Sequence, residues 1–220
     1  IQRLGAWLGS IDGVKGLVVL GHAGEGTFLT QQEQVDVIKA FVKSVNNKIP
    51  IIAGITGEGT EVAALEAKRA KEAGAQAGLL YPSHGWLRFG YQPGAPQDRY
   101  KVVYEVSKLP LILFQYPDNT KATYNLQTLL DIAALPGVVA MKNGVRNMRR
   151  WDTEPAMALI EPGDEVLMPD PSYPANQNFI MAAGGTARLI PASAEGRFQL
   201  SAQHIRDHWG PNTRMCWALS

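Results

Sequence analysis

The sequence predicts an α/β fold in which eight parallel strands alternate with helices along 220 residues. The first observation behind this prediction is a series of short apolar runs, each followed by apolar residues at helical spacing. The second is a repeated turn, because GHAGEGT at 21–27 and GITGEGT at 54–60 each connect a predicted strand to a predicted helix, about 33 residues apart. This serial alternation favours a parallel sheet over a meander of hairpins.

The elements of the first two thirds follow one another in strict alternation. Thr30 and Glu33 have the spacing of a capping box, which starts a helix whose apolar face includes Ile38 and Phe41. The predicted strands are short apolar runs: 16–21, 49–55, 77–81, 109–115 and 138–141. The other predicted helices are 1–13, 61–73, 98–107 and 126–134. A glycine, proline and aromatic loop at 82–96 is either a lid over a site or a simple insertion.

The last third continues the alternation. Its predicted strands are 165–168, 187–191 and 214–219, and its predicted helices lie near 175–184 and 201–209. Ser201 has the position of an N-cap. With the five earlier strands, these three bring the predicted total to eight.

Composition argues against several classes of protein. The 21 lysines and arginines balance 20 acids, and 45% of the residues are apolar, as in an ordinary globular protein. The one local basic cluster, Arg146, Arg149 and Arg150, is interpreted as a solvated helix face, so no nucleic-acid partner is predicted. The single cysteine, Cys216, excludes an internal disulfide and a multi-thiolate metal site and favours a cytoplasmic location. No apolar stretch approaches the roughly 18 residues that span a bilayer, so no membrane partner is predicted.

The apolar run at 138–141 ends at Lys142, within the segment GVVAMKNG. A strand buried on both faces of a parallel sheet reads as such a continuous apolar run. One interpretation is that the lysine only ends the strand and extends to water. The other is an amine nucleophile, because a lysine held in an apolar barrel interior loses solvation of its charged form and its free amine can attack a carbonyl.

Several motifs of residues 1–154 resemble the dihydrodipicolinate synthase and N-acetylneuraminate lyase family: GLVVLGHAGEGTFLT, PIIAGI, LILFQYP and VVAMKNG. Members of this family are (β/α)8 TIM barrels that act as class I aldolases. The resemblance implies the same fold here and places the Schiff-base lysine at Lys142. It also implies condensation of this lysine with the ketone of pyruvate or another 2-oxo acid, and no cofactor.

The glycine-rich turn after the first strand is, by this resemblance, the cradle for the substrate carboxylate. Its residues are Gly21, His22, Ala23, Gly24 and Glu25. The turn opens towards a helix N-terminus, so its backbone N–H groups suit an anion. A tight turn needs glycine even without a ligand, so the motif alone does not distinguish the two interpretations.

The chain departs from the family at positions that move protons. His22 and Ala23 stand where the family usually has two threonines, and the position of the proton-shuttling tyrosine is Phe114. Tyr116 lies two residues on and would face the same side of a continued strand, where it can supply the missing phenol.

Two further departures concern the loops. A tyrosine pair of the family falls on Ser83 and His84, and His84 either acts as acid or base near neutral pH or is simply an exposed loop residue. The arginine that binds the second substrate of the synthases falls on Asn119. A lyase or aldolase acting on another 2-oxo acid is therefore predicted.

From about Pro155 the chain resembles a different family, the pyridoxal-phosphate-binding large domain of fold-type I aminotransferases. This resemblance rests on PAMALIEPGDEVLMPDPSYPANQNF, AGGTARLIPASAEGRFQL and TRMCWALS. It places the aromatic residue that stacks on the cofactor at Tyr173, while the other cofactor-holding residues of the family fall beyond Ser220. One stacking tyrosine cannot hold the cofactor, so Tyr173 is interpreted as a packing or turn residue between Pro171 and Pro174.

These observations predict a partial barrel of Schiff-base lyase type at 1–154 and an aminotransferase-like segment at 155–220. The segment either completes a chimeric eight-stranded barrel or packs as a small sheet, since the first aminotransferase strand lies between the other two whereas a barrel needs sequential order. The predicted function is a Schiff-base lyase or aldolase whose partner is a small-molecule 2-oxo acid. The alternatives are a catalytically inactive chimeric or engineered scaffold, whose exposed strand edges favour homo-oligomers, and a pyridoxal-phosphate aminotransferase fragment.

Overall fold

The computed structural model describes residues 1–117, 120–144, 159–172, 174–196 and 198–216. The chain divides into two compact units, 1–146 and 147–220. Each unit has its own parallel sheet. None of the helices in these ranges combines the length and the apolar character that crossing a bilayer requires.

In the first unit, strands and helices alternate along the chain. The strands are β1 (Leu17–Val19), β2 (Ile51–Ile55), β3 (Ala77–Leu80), β4 (Leu111–Gln115) and β5 (Val138–Asn143). The α-helices are α1 (Gln2–Ser10), α2 (Gln31–Val45), α3 (Thr60–Glu72), α4 (His84–Phe89), α5 (Ala95–Ser107) and α6 (Leu126–Ala133). Neighbouring strands are parallel and follow the chain order β1-β2-β3-β4-β5. This is the arrangement expected of consecutive βαβ crossovers.

Helix α2 begins where the sequence predicts. The Thr30 hydroxyl accepts a hydrogen bond from the Glu33 N–H at 3.3 Å, and the Glu33 carboxylate accepts one from the Thr30 N–H at 2.8 Å. The helix buries Ile38, Phe41 and Val45 on its apolar face. The predicted capping box is therefore confirmed.

Strands β2 and β4 each begin two residues later than predicted, at Ile51 and Leu111. Pro50 and Pro110 precede them, and a proline has no N–H to donate to a sheet ladder. Each proline still contributes its carbonyl: that of Pro50 accepts from the Leu17 N–H at 3.0 Å, and that of Pro110 from the Gly78 N–H at 2.8 Å.

The loop predicted at 82–96 contains the short helix α4 and the start of α5. Trp86 and Tyr91 lie on this segment, with ring centroids 5.5 Å apart. The Tyr91 hydroxyl donates to the Thr123 carbonyl at 3.1 Å. These contacts tie the segment to the chain that follows β4.

Strand β5 is exposed, so the prediction of a strand buried on both faces is wrong. Val139 is 62% exposed and Met141 39% exposed, and Lys142 is exposed as well. Among the described strands, β5 is the last of its sheet and pairs only with β4. An apolar run specifies what a strand is suited to bury, whereas burial itself needs neighbours on both sides.

The second unit contains β6 (Glu165–Asp170), α7 (Pro174–Ala182), β7 (Thr186–Pro191), α8 (Ala202–His208) and β8 (Thr213–Cys216). Its parallel strands have the order β7-β6-β8, and the central strand buries Val166, Leu167 and Met168 completely. The Ser201 hydroxyl accepts from the His204 N–H at 3.1 Å and caps α8, as predicted.

The fold class is thus α/β with parallel strands, as predicted, but the eight described strands form sheets of five and three rather than one barrel sheet. A barrel closed in chain order would place β7 between β6 and β8. In the structure, β6 lies between the other two and pairs with both. The expectation of a single eight-stranded barrel is therefore not met by the described strands.

Candidate active site

Side chains from the carboxyl ends of all five strands of the first unit carry the chemistry of the candidate site. In parallel folds these ends meet at one edge of the sheet, where sites are built. In strand order, the side chains are His22 after β1, Glu58 after β2, Tyr81 and His84 after β3, Phe114 and Tyr116 from β4, and Lys142 from β5.

His22 lies at the centre of an aromatic cluster. Its ring centroid is 4.1 Å from that of Tyr81, 4.8 Å from that of His84 and 5.9 Å from that of Tyr116. The Phe114 ring approaches edge-on at 6.3 Å. The structure therefore brings together the predicted residues His22, His84 and Tyr116.

The turn that carries His22 consists of two short 3-10 segments, His22–Gly24 and Gly26–Phe28, joined by Glu25 in a left-handed conformation at φ 55°. The N–H groups of Gly24 and Gly26 both donate to the Gly21 carbonyl, at 2.9 and 3.3 Å, and the Glu25 N–H donates to the His22 carbonyl at 3.1 Å. Three donors of the predicted carboxylate cradle are thus directed at the turn itself. A substrate carboxylate at these groups would have to displace those bonds.

Two glycines allow the exits of β1 and β2 to pack closely. A Cβ on Gly26 would meet the Leu20 carbonyl oxygen, and one on Gly54 would lie 2.7 Å from the Gly21 Cα. Both separations are too short for a side chain. Glycine is therefore required at both positions by backbone packing, independently of any ligand.

Glu58 holds the start of the loop after β3. Its Oε2 accepts from the Ser83 hydroxyl at 2.6 Å and from the Gly85 N–H at 3.2 Å, while its Oε1 accepts from the His84 N–H at 2.9 Å. Burial raises the pKa of Glu58, but these hydrogen bonds outweigh it and hold the pKa below its ordinary value. The carboxylate is therefore ionised at neutral pH.

His84 connects Glu58 to His22. Its Nδ1 lies 3.3 Å from Oε1 of Glu58, and its Nε2 lies 2.9 Å from Nε2 of His22. Burial, followed by the charges of His84 and Lys142, lowers the pKa of His22 below 6.5. His22 is consequently neutral at pH 7 and has a nitrogen lone pair that can accept a proton.

Two buried charged residues position the loop that carries Glu58. Arg99, only 1% exposed, donates from Nε to the Tyr81 carbonyl at 3.1 Å and from its terminal nitrogens to the carbonyls of Glu58 and Gly57, at 3.2 and 2.5 Å. Glu66 accepts from the Gly57 N–H at 2.6 Å. Together they fix the exit of β2 beside the exit of β3.

Tyr116 and Phe114 both face His22, as expected for residues two apart at the end of a strand. Their rings contact each other edge-on at 5.0 Å, and the Tyr116 hydroxyl lies 3.5 Å from each ring nitrogen of His22. Burial raises the pKa of Tyr116 to about 12. The phenol is therefore protonated at neutral pH and suited to donate a proton or a hydrogen bond.

Lys142 is paired in register with Phe114 across β4 and β5. Its Nζ lies 4.7 Å from the centroid of the Phe114 ring. The predicted enclosure of this lysine in an apolar interior is not found, because its side chain is exposed on an edge strand. Its charge is one of the causes that lower the pKa of His22, after burial and the charge of His84.

Sequence reasoning missed Glu58, Ser83 as its partner, and Arg99. The available signal was the repeat, since Glu58 and Glu25 occupy the same position in the two GEGT turns.

Asn119 and Tyr173 lie outside the described residues. Within the described ranges, no cluster of three or more His, Cys, Asp or Glu side chains is arranged to hold a metal ion.

Comparison with known proteins identifies the family. The model of the dihydrodipicolinate synthetase family matches residues 11–169, most of the chain. The chain belongs to the dihydrodipicolinate synthetase family. The predicted resemblance is therefore confirmed, and the match extends past the predicted boundary at 154.

Relatives in the dihydrodipicolinate synthetase family agree with this assignment. The 4-hydroxy-tetrahydrodipicolinate synthase of Ralstonia nicotianae is 31% identical over 70% of this chain and 53% of its own length. That of Ruthia magnifica is 28% identical over 89% of this chain and 66% of its own length. The chain thus spans between half and two thirds of these relatives.

Solved dihydrodipicolinate synthases resemble the fold. The enzyme of Aquifex aeolicus superposes with a TM-score of 0.64 at 25% identity, covering 89% of this chain and 63% of its own. That of Acinetobacter baumannii, solved in complex with pyruvate, gives a TM-score of 0.62 at 26% identity, covering 88% of this chain and 57% of its own.

A second family model, that of class I and II aminotransferases, matches residues 152–214. This agrees with the predicted resemblance of the last third to a fragment of such an enzyme. The two matches overlap at 152–169.

Proposed function

We propose that this protein is a Schiff-base lyase or aldolase that acts on pyruvate or another 2-oxo acid, with Lys142 as the nucleophile. The observation that carries the proposal is the position of the Lys142 amine, 4.7 Å from the Phe114 ring at the carboxyl end of β5. A neutral imidazole, His22, and a protonated phenol, Tyr116, also approach this ring edge-on, with centroids 6.3 and 5.0 Å from that of Phe114. A nucleophilic amine, a base and an acid thus share one strand edge.

The chemistry follows from these groups. The neutral amine of Lys142 attacks C2 of the 2-oxo acid, the carbonyl electron pair moves to oxygen, and a proton moves from nitrogen to that oxygen. A second proton, donated by the Tyr116 phenol, lets the hydroxyl leave as water and the iminium form. Removal of a C3 proton then places an electron pair in a C2–C3 double bond and neutralises the iminium nitrogen. The resulting enamine attacks an aldehyde to form a carbon–carbon bond, and the reverse sequence breaks one.

The protein supports each charge change with a specific contact. The Phe114 ring lies against the lysine nitrogen, where it stabilises the cationic amine and would stabilise the cationic iminium. Tyr116, with a pKa near 12, holds its proton for an oxygen that becomes negative. His84 acts through His22, and the turn at Gly21, His22, Ala23, Gly24 and Glu25 is the proposed location of the substrate carboxylate.

The substrate is proposed to differ from that of the named synthases. Phe114 has no hydroxyl to carry a proton, and Asn119 replaces the arginine that the family resemblance places there. The A. baumannii relative was solved with pyruvate, which supports a 2-oxo acid as the first substrate. A cytoplasmic location and a division of the chain near residue 155 remain predictions.

Trapping by borohydride tests the proposal. Incubation with pyruvate and borohydride should reduce the iminium to a stable secondary amine, located on Lys142 by peptide mass spectrometry. Lys142→Gln should abolish the adduct, whereas Lys101→Arg, a matched change on the exposed face of α5, should leave it intact. An unmodified Lys142 in the wild-type protein would remove the proposal.

The second candidate is a catalytically inactive scaffold, favoured by the exposure of β5. A Schiff-base lysine is usually activated by burial, and Lys142 lies on an exposed edge strand. This candidate predicts no adduct, and association of exposed edges into homo-oligomers at high concentration. The third, a pyridoxal-phosphate protein, requires an imine absorbance band after addition of the cofactor.

A further inference from the structure

We propose that Glu58, His84 and His22 form a proton relay that serves the substrate bound at Lys142. The inference rests on the Schiff-base function proposed above and adds a route for the proton that the reaction releases. It assigns a role to Glu58 as a positioning residue and to His22 as the catalytic base. The three side chains come from the ends of three adjacent strands, β1, β2 and β3.

One set of protons is consistent with these contacts. Glu58 is ionised, so its Oε1 only accepts, and His84 must carry its proton on Nδ1, 3.3 Å away. A neutral His84 then has a lone pair on Nε2. Because this atom lies 2.9 Å from Nε2 of His22, the His22 proton is on Nε2. The lone pair of His22 is consequently on Nδ1, the nitrogen that acts as the base and that the Tyr116 hydroxyl approaches at 3.5 Å.

The short separation of the two imidazoles makes the pair suitable for sharing one proton. Two imidazolium ions with nitrogens 2.9 Å apart would repel each other, and neither nitrogen could accept from the other. The groups that face His22 from neighbouring strands are His84, Lys142, Tyr81 and Tyr116. Within the described part of the chain, His84 is the one of these groups that contacts a carboxylate, that of Glu58.

The proton transfer balances at each step. The C3–H bond of the iminium breaks, its electron pair forms the C2–C3 double bond, and the proton adds to Nδ1 of His22. The Nε2 proton of His22 passes to Nε2 of His84. The resulting His84 cation is stabilised by the ionised Oε1 of Glu58, 3.3 Å from its Nδ1, and His84, 41% exposed, releases a proton to solvent. Reversal of the sequence protonates the enamine.

Glu58 acts here as the carboxylate of a catalytic triad does, since it selects the tautomer of the adjacent histidine and stabilises its cation. Two features hold it in place for this purpose. Oε2 is occupied by the Ser83 hydroxyl and the Gly85 N–H, which leaves Oε1 facing His84. Arg99 fixes the Glu58 carbonyl.

Exchange of the C3 protons of pyruvate tests the relay separately from imine formation. In D2O, proton NMR measures the loss of the methyl signal, and borohydride trapping measures the imine on Lys142. Glu58→Gln should lower the exchange rate about 100-fold while leaving the yield of trapped imine unchanged. Glu61→Gln, a matched change in the exposed first turn of α3, should alter neither.

Two readouts distinguish a relay from a merely structural role. His22→Ala should lose exchange, and added imidazole should restore it, because the free base replaces the missing one. In the wild-type protein, the exchange rate should rise with pH as the histidine pair loses a proton. The pH at which this rise occurs should shift in Glu58→Gln. An unshifted pH profile would contradict the role of Glu58.

The failures of the two proposals are distinguishable. Wild-type protein that traps no imine overturns the Schiff-base function and, with it, the reaction that the relay serves. Normal trapping with normal exchange in Glu58→Gln overturns the relay alone. If Glu58→Gln misfolds and no longer traps the imine, His84→Gln is used instead. The ratio of the exchange rate to the yield of trapped imine is then compared with that of the wild-type protein, and an unchanged ratio overturns the relay.

Discussion

The two copies of the GEGT turn share a sequence but have different surroundings. Glu25, in the first copy, is exposed in a left-handed conformation. Glu58, in the second, accepts hydrogen bonds from Ser83, His84 and Gly85. The difference arises from strand order, because β1 is an edge of the sheet whereas β2 lies beside β3, whose exit supplies these donors. A repeated motif therefore provides a carboxylate twice, and the neighbouring strand decides which copy enters the site.

The two turns also differ in how they are held. The second depends on buried side chains, since Arg99 binds the carbonyls of Gly57 and Glu58. The first depends on backbone packing, since Gly26 lies against Leu20. Substitutions at these positions should affect stability by different amounts.

The largest expected effect is that of Arg99→Met. The change removes the donor to the buried Tyr81 carbonyl and to the partly buried carbonyls of Gly57 and Glu58, so the free energy of unfolding should fall by about 3 kcal/mol. Urea unfolding followed by circular dichroism measures it. Arg69→Met, on the neighbouring helix α3, serves as the control. An equal effect of the two changes would contradict the special role of Arg99.

Gly26→Ala should come next. The added Cβ meets the Leu20 backbone, which must shift, so the loss of stability should be about 2 kcal/mol. Gly24→Ala, two residues earlier, finds its nearest atom at 4.0 Å and should cost much less. Comparison of the two melting temperatures checks this. If both variants unfolded alike, close packing would not be the reason for glycine at Gly26.

Thr30→Ala should have a smaller effect. It removes the capping box of α2, whose loss costs about 1 kcal/mol. Helix α3, which follows the second GEGT turn, has Gly59 at its N-cap position and therefore lacks a side-chain cap. Gly59→Ser should therefore raise the melting temperature slightly, while Thr30→Ala lowers it, and changes of the same sign in thermal unfolding would refute the comparison.

The smallest expected effect is a dependence of stability on pH. The folded pKa of Glu58 lies below its ordinary 4.5 because hydrogen bonds outweigh the opposing effect of burial. A carboxyl with a lowered folded pKa contributes stability above its unfolded pKa and loses it as pH falls through the folded value. The difference in unfolding free energy between wild type and Glu58→Gln should therefore shrink below pH 4.5. Equal differences at neutral and at acid pH, measured by urea unfolding, would contradict this prediction.

Much of the candidate site followed from the sequence. The position of Lys142 was predicted from the apolar run before it, and those of His84 and Tyr116 from the family resemblance. The structure places all three around Phe114 or His22. Glu58 and Arg99 were missed. Each of them forms hydrogen bonds with residues that are distant in the chain. A local sequence pattern does not predict which distant residues will be its partners.

The sequence by itself determined the structural features that depend on residues close together in the chain. Helix starts at Thr30 and Ser201 are of this kind, because capping groups and apolar periodicity act over one or two turns. The family membership is also encoded in such local motifs.

Only the tertiary structure decided what depends on which strands become neighbours. It placed β6 between β7 and β8 and left β5 exposed at an edge. It also brought His84 into contact with both His22 and Glu58, at 2.9 and 3.3 Å. Strand order is set by long-range pairing and packing, which the period of a short apolar run does not specify. For that reason the position of Lys142 was predictable from its strand, whereas the contacts of His84 with Glu58 and His22 were not.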